Sequence, residues 1–119
     1  TSFEYAIPTG DSVSAKKMFD REWAVRVLEY ALNRLKQECE QTGEAEEYQA
    51  LKPWLTGEGA SGSQAGVAER LGMSEGALRV AIHRLRRRFR EFVKAEVAKT
   101  VDDPAEVSAE MNHLIEALS

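Results

Sequence analysis

Residues 63–90 read SQAGVAERLGMSEGALRVAIHRLRRRFR. This spacing predicts a short helix, a three-residue turn and a longer basic helix, that is, a helix-turn-helix. Ala68 falls where the two helices would cross, and its small side chain permits close approach. Gly72 follows the last periodic apolar residue, Leu71, and suits the left-handed backbone that ends a helix. Ser74 is placed to cap the second helix by accepting a free backbone N–H. Val67, Leu71, Met73, Leu78, Ile82 and Leu85 supply the predicted small core. A helix-turn-helix whose second helix is basic makes DNA the first partner to consider.

The second helix has two faces. With Leu78 inward and about 100° per residue, Ile82, Leu85 and Phe89 return to the same side. Gly76, Arg79, Val80, His83, Arg84 and Arg87 lie across the other. Recognition helices read bases mainly with their N-terminal half, so Arg79 and His83 are the expected base-edge readers. Arginine suits bidentate contact with guanine O6 and N7. His83 has an equally good reading as a neutral polar surface residue. Arg84 and Arg87 are placed for phosphates, which position a protein without specifying sequence. Arg86, Arg88 and Arg90 fit phosphate contacts, solvated charges or a protein interface. Free N–H groups near the helix starts, at Gln64 and Glu75, could also hold phosphates.

The formal net charge of −4 argues against a polyanionic partner only until its distribution is considered. Arg79, Arg84, Arg86, Arg87, Arg88, Arg90 and Lys94 share their segment with a single acid, Glu91, giving it +6 and leaving −10 for the rest. Screening beyond about 8 Å makes the local field decisive. The competing reading of these residues is a solvated charged face.

Outside this stretch the pattern is helical throughout, and an all-α fold of about five helices is expected. Residues 1–13 read as a linker or extended arm, in which Phe3, Tyr5 and Ile7 alternate. A helical domain is predicted over 14–101. Its first helix runs from Ser14 to about Gln41, with a wide apolar arc in which Trp23 and Tyr30 read as core. Gly43 breaks the chain. Glu44–Leu55 reads as a second helix with Tyr48, Leu51, Trp54 and Leu55 inward, which Pro53 should kink or end. TGEGASG at 56–62 reads as a flexible loop without the Gly-Lys-Ser/Thr of a phosphate-binding P-loop. Asp102-Asp103-Pro104 is a stop and restart. Residues 102–119 then form an acidic amphipathic helix with Val107, Met111, Leu114, Ile115 and Leu118 in one stripe. That stripe either docks on the domain's own core, beside Trp23 or Trp54, or is regulatory. The regulatory form would compete with phosphate for the arginines or dock another protein.

No apolar run is long enough to cross a membrane, and no signal-peptide pattern opens the chain. The sequence lacks an initiator Met, so it reads as a piece of a longer protein. Cys39 is the single cysteine, which fits a reducing cytoplasm. Cys39, His83 and His113 are too scattered for a metal site. No nucleophile–base–orienter set is present, so neither an enzyme nor a cofactor is expected.

The run Ala68-Glu69-Arg70-Leu71-Gly72-Met73-Ser74-Glu75-Gly76-Ala77-Leu78-Arg79-Val80, followed by His83-Arg84-Leu85-Arg86-Arg87, resembles region 4 of bacterial RNA polymerase sigma factors. The likeness is nearest to the extracytoplasmic-function group. It is specific over residues 63–90. It extends more weakly through LKPWLTGEG and DDPAEVSAEMNHLIEALS to most of 15–119, as in a subgroup with a short acidic C-terminal extension. The resemblance implies binding to the −35 promoter element through the recognition helix and docking of core RNA polymerase through its β flap. An anti-sigma factor is a further possible partner. The DNA-reading positions carried over are Glu75, Gly76, Arg79, Val80, His83, Arg84 and Arg87, with the cap residue Ser74 at their edge. Region 2 of that family is not within this sequence, and residues 1–13 resemble the end of the linker that precedes region 4. The chain alone is therefore not expected to initiate transcription. Two positions depart from the family pattern: Gly66 replaces a helix former, and Ala81 is smaller than the basic residue often found there. The alternatives are a helix-turn-helix regulator of the response-regulator type, which would dimerise, and a protein-interaction module whose arginines dock an acidic partner.

Overall fold

The computed structural model describes residues 8–56 and 63–118. Among them the fold is all-α, as expected. The five helices are α1 (Pro8–Gln41), α2 (Ala45–Thr56), α3 (Gln64–Leu71), α4 (Glu75–Ala98) and α5 (Val107–Leu118), with a 3-10 turn at Pro104–Glu106 before α5. The arm residues Phe3, Tyr5 and Ile7 and the loop at 57–62 lie outside the described residues. No described helix is long and apolar enough to cross a membrane.

The helices form two compact units. One contains α1 up to Tyr30 together with the chain from Lys94 onward; the other spans Ala31–Val93. The second unit holds the larger core. Leu35 and Cys39 from α1, Tyr48 and Leu51 from α2, Val67 and Ala68 from α3, and Leu78, Ile82 and Leu85 from α4 form one buried cluster. Trp54, Leu55, Leu71, Met73, Phe89 and Phe92 pack around it, partly buried. The Tyr48 hydroxyl, otherwise costly to bury, donates to the Leu32 carbonyl at 3.4 Å.

Two boundaries differ from the sequence expectation. α1 begins at Pro8 rather than Ser14, so residues 8–13, read as linker, are helical. Proline suits a first helical position, where its missing N–H has no intrahelical partner to lose. α2 does not end at Pro53 but carries it within its last turn and stops at Thr56. There the proline removes one donor, opposite the Gln49 carbonyl, and little helix remains beyond it to disrupt. α4 extends to Ala98, well beyond its N-terminal half.

The inward seam of α1 also differs. Ala24, Val27, Ala31, Leu35 and Cys39 are buried, whereas Tyr30 is half exposed and Phe19 more so. Trp23 is only partly buried. The core reading of Trp23 and Tyr30 is thus corrected. The two alanines have no exposed surface, whereas the aromatic side chains stay partly or largely exposed. Tyr30 instead presents its face to the Lys99 ammonium, 5.4 Å from the ring centroid.

Gly43 terminates α1 at φ 78°. The Glu44 N–H donates to the Cys39 carbonyl at 2.7 Å, the wrap-back bond that a left-handed residue makes possible. Asp103 caps the restart as predicted, its side chain accepting from the Ala105 N–H at 3.0 Å. In α5, Leu114 is buried but Ile115 is largely exposed, so the stripe is narrower than its sequence spacing implies. His113 lies beside Trp23, ring centroids 5.7 Å apart, with Nε2 3.6 Å from an Asp20 carboxylate oxygen. These contacts place α5 against the Trp23 turn of α1.

Candidate nucleic-acid interface

The helix-turn-helix lies wholly within the second unit, and local hydrogen bonds fix its turn. Ser63 caps α3 from an extended backbone, its hydroxyl accepting from the Gly66 N–H at 3.1 Å. Gly72 adopts φ 69°, ψ 33°. The Met73 N–H then reaches back to the Ala68 carbonyl at 2.9 Å, and the Gly72 N–H to Glu69 at 3.1 Å. An L-residue with a side chain is strained in that conformation. Ser74 caps α4, its hydroxyl accepting from the Ala77 N–H at 3.1 Å. The three residues Gly72, Met73 and Ser74 therefore end one helix and start the next, as the sequence indicated.

The predicted faces of α4 match the structure. Leu78, Ile82 and Leu85 are buried, and Phe89 is partly so. Ser74, Glu75, Gly76, Arg79, Val80, His83, Arg84 and Arg87 are all exposed. The structure thus brings every candidate residue onto one surface, the N-terminal end and outward side of α4. Among the described residues, none of Arg79, His83, Arg84, Arg87 and Arg90 takes part in an ion pair.

Arg86 and Arg88, whose roles the sequence left open, turn away from that surface. Arg86 donates from Nε to the Trp54 carbonyl at 3.1 Å. That oxygen lies in the last turn of α2, where carbonyls lack intrahelical partners and positive charge is favoured. Arg88 donates to Glu38 from Nε and Nη2 and sits 3.5 Å from Glu44 through Nη1. Its Nη2 also lies 3.7 Å from the Cys39 sulfur. Desolvation opposes the guanidinium charge, but the Glu38 bond and the neighbouring groups outweigh it and hold Arg88 more firmly protonated. Burial pushes the Cys39 thiol above the ordinary thiol range, although the Arg88 charge pulls the other way. Glu38, Glu44 and the Trp54 carbonyl thus anchor α4, and no local sequence pattern announced them.

The basic groups that remain on the surface suit an anion chemically. Arg79, Arg84, Arg87 and Arg90 offer planar donor forks, suited to phosphate oxygens or guanine edges. Glu75 opens α4, where its charge complements the helix dipole and its carboxylate can accept from cytosine N4. No group of three His, Cys, Asp or Glu able to hold a metal ion is present among the described residues. Comparison of the chain with family models, with curated proteins and with solved structures gave no match.

Proposed function

We propose that this chain is a promoter-DNA-binding module equivalent to region 4 of an alternative sigma factor, which seats α4 in the major groove at the −35 element. The observation that carries the reading is the partition of α4. Its outward face exposes Gly76, Arg79, Val80, His83, Arg84 and Arg87 together, while Arg86 and Arg88 hold the helix to its own domain. Core RNA polymerase, through its β flap, is the proposed protein partner, and an anti-sigma factor the proposed regulator. The site of action is the cytoplasm, where promoters and polymerase are found.

Titration of the full chain with a mixed pool of duplex DNA tests this. The logarithm of the binding constant should fall linearly with that of salt, by about 0.9 per phosphate contact. Solution mass should show one chain per duplex, not the two of a dimeric regulator. Absent or salt-independent binding overturns the proposal.

A further inference from the structure

Val80 stands out on the outward face of α4. It is 52% exposed, and the other large hydrophobics found exposed lie on α1 and α5. On the helix it lies nearly opposite Leu78, at the middle of the outward face. One turn before it is Gly76, where an added Cβ would approach only the Ser74 hydroxyl, at 3.9 Å. One turn after it are His83 and Arg84, both exposed. The isopropyl group is therefore open on its N-terminal side and bordered by donors on its C-terminal side.

We propose that Val80 is a specificity-determining residue that reads the C5 methyl group of one thymine. This inference rests on the reading of α4 as a major-groove helix. The isopropyl group can make no hydrogen bond. Pressed against N7, O6 or N4 of a base edge, it strips water from a polar atom and returns nothing, which is unfavourable. The thymine methyl is the apolar feature of the major-groove edge, and contact with it removes two apolar surfaces from water at once. β-Branching holds the Val80 side chain in one strongly preferred rotamer on a helix. The group is thus preset, and little side-chain freedom is lost on contact. The neighbouring donors, Arg79 and His83, are left to read the polar edges of adjacent base pairs.

The test begins with duplexes selected by the full chain from a randomised pool. Each thymine of the selected site is then replaced singly by deoxyuridine, which removes the methyl and nothing else. Wild type and Val80→Ser are titrated against each duplex at about 50 and 200 mM salt, the range over which phosphate contacts weaken strongly. At one thymine the replacement should weaken wild-type binding roughly fourfold, the worth of one apolar carbon taken from water. Val80→Ser should bind both duplexes alike. The ratio should be the same at both salt concentrations, because the contact carries no charge. Val80→Ser should keep the wild-type melting midpoint. The inference is overturned if no thymine is sensitive, if the sensitivity persists in Val80→Ser, or if that variant unfolds. Failure to select any duplex would instead overturn the DNA-binding reading itself, and the assignment with it.

Discussion

Arg88 donates to a single carboxylate oxygen of Glu38 from two nitrogens, Nε at 2.9 Å and Nη2 at 2.5 Å. Both side chains retain some exposure, 29% and 42%, so solvent screens the pair. Two charge-assisted donors to that one oxygen still place it at the upper end of partly exposed ion pairs. A double-mutant cycle with Arg88→Ala and Glu38→Ala should give a coupling of about 1 kcal/mol in thermal or urea melts. Because the charge is directed inward, Arg88→Ala should leave the salt slope of DNA binding unchanged. A slope reduced by about 0.9 would make Arg88 a phosphate contact.

Arg79 and Arg87 should behave differently from Arg88 and from each other. Arg79 is early on the exposed face and Arg87 two turns later. Arg79→Ala should cost about 1–3 kcal/mol on the preferred duplex and relax preference at one base pair. Arg87→Ala should weaken all duplexes alike and lower the salt slope by about 0.9. Titrations on matched and single-mismatch duplexes separate the two patterns. Equal loss on every duplex for Arg79→Ala would remove it as a base reader.

Leu78 has no exposed surface, whereas Tyr30 is half exposed. Leu78→Ala should destabilise the fold by about 2–5 kcal/mol, since it leaves a cavity in close-packed surroundings. Tyr30→Ala forfeits mainly its contact with Lys99, worth about 0.5–1 kcal/mol at an exposed site. Melting midpoints should therefore rank Tyr30→Ala well above Leu78→Ala, and the reverse order would refute the orientation of α1.

Two glycines in the helix-turn-helix should respond oppositely to alanine. At Gly66 a Cβ meets only the Ser63 hydroxyl, at an ordinary 3.5 Å. Gly66→Ala should raise stability by about 1 kcal/mol through helix propensity. At Gly72 the space is open, but φ is +69°, so Gly72→Ala should cost about 1–2 kcal/mol in backbone strain. Urea melts of the two variants settle both signs.

The buried Cys39 thiol gives stability an alkaline limit. Burial raises its folded-state pKa, so the folded chain holds that proton more tightly than the unfolded one. The associated stability is complete below the unfolded thiol pKa of about 8.5. It declines as pH rises from there through the folded value. Tyr48, pushed up by burial and then by Cys39, extends the decline to higher pH. The melting temperature of wild type should fall above about pH 8.5 more steeply than that of Cys39→Ala.

Where a structural decision is local, the sequence carries it. Gly72 and Ser74 define the turn through bonds that reach no farther than five residues. The inward side of α4 follows from a single apolar period. α1 offers two overlapping apolar stripes, and which one faces inward is decided by neighbours distant in sequence. The arc of Phe19, Trp23 and Tyr30 is the more hydrophobic to the eye, but Ala24 and Ala31 have no exposed surface. The division among the arginines is equally non-local. Arg86 finds its partner 32 residues away and Arg88 finds Glu38 50 residues away, separations that no helical spacing encodes.

The opposed faces of α4 have a consequence for engineering. Leu78, Ile82, Leu85, Arg86 and Arg88 secure the helix, and none of them lies among Arg79, Val80, His83, Arg84 and Arg87. Combinatorial libraries varied at those outward positions should therefore retain one backbone and, on the proposed reading of α4 as a DNA-binding helix, diverge in the sequences they bind. In such libraries selection for a new target and selection for stability would act on different residues, so, if α4 reads DNA as proposed, the scaffold can be retargeted without being redesigned.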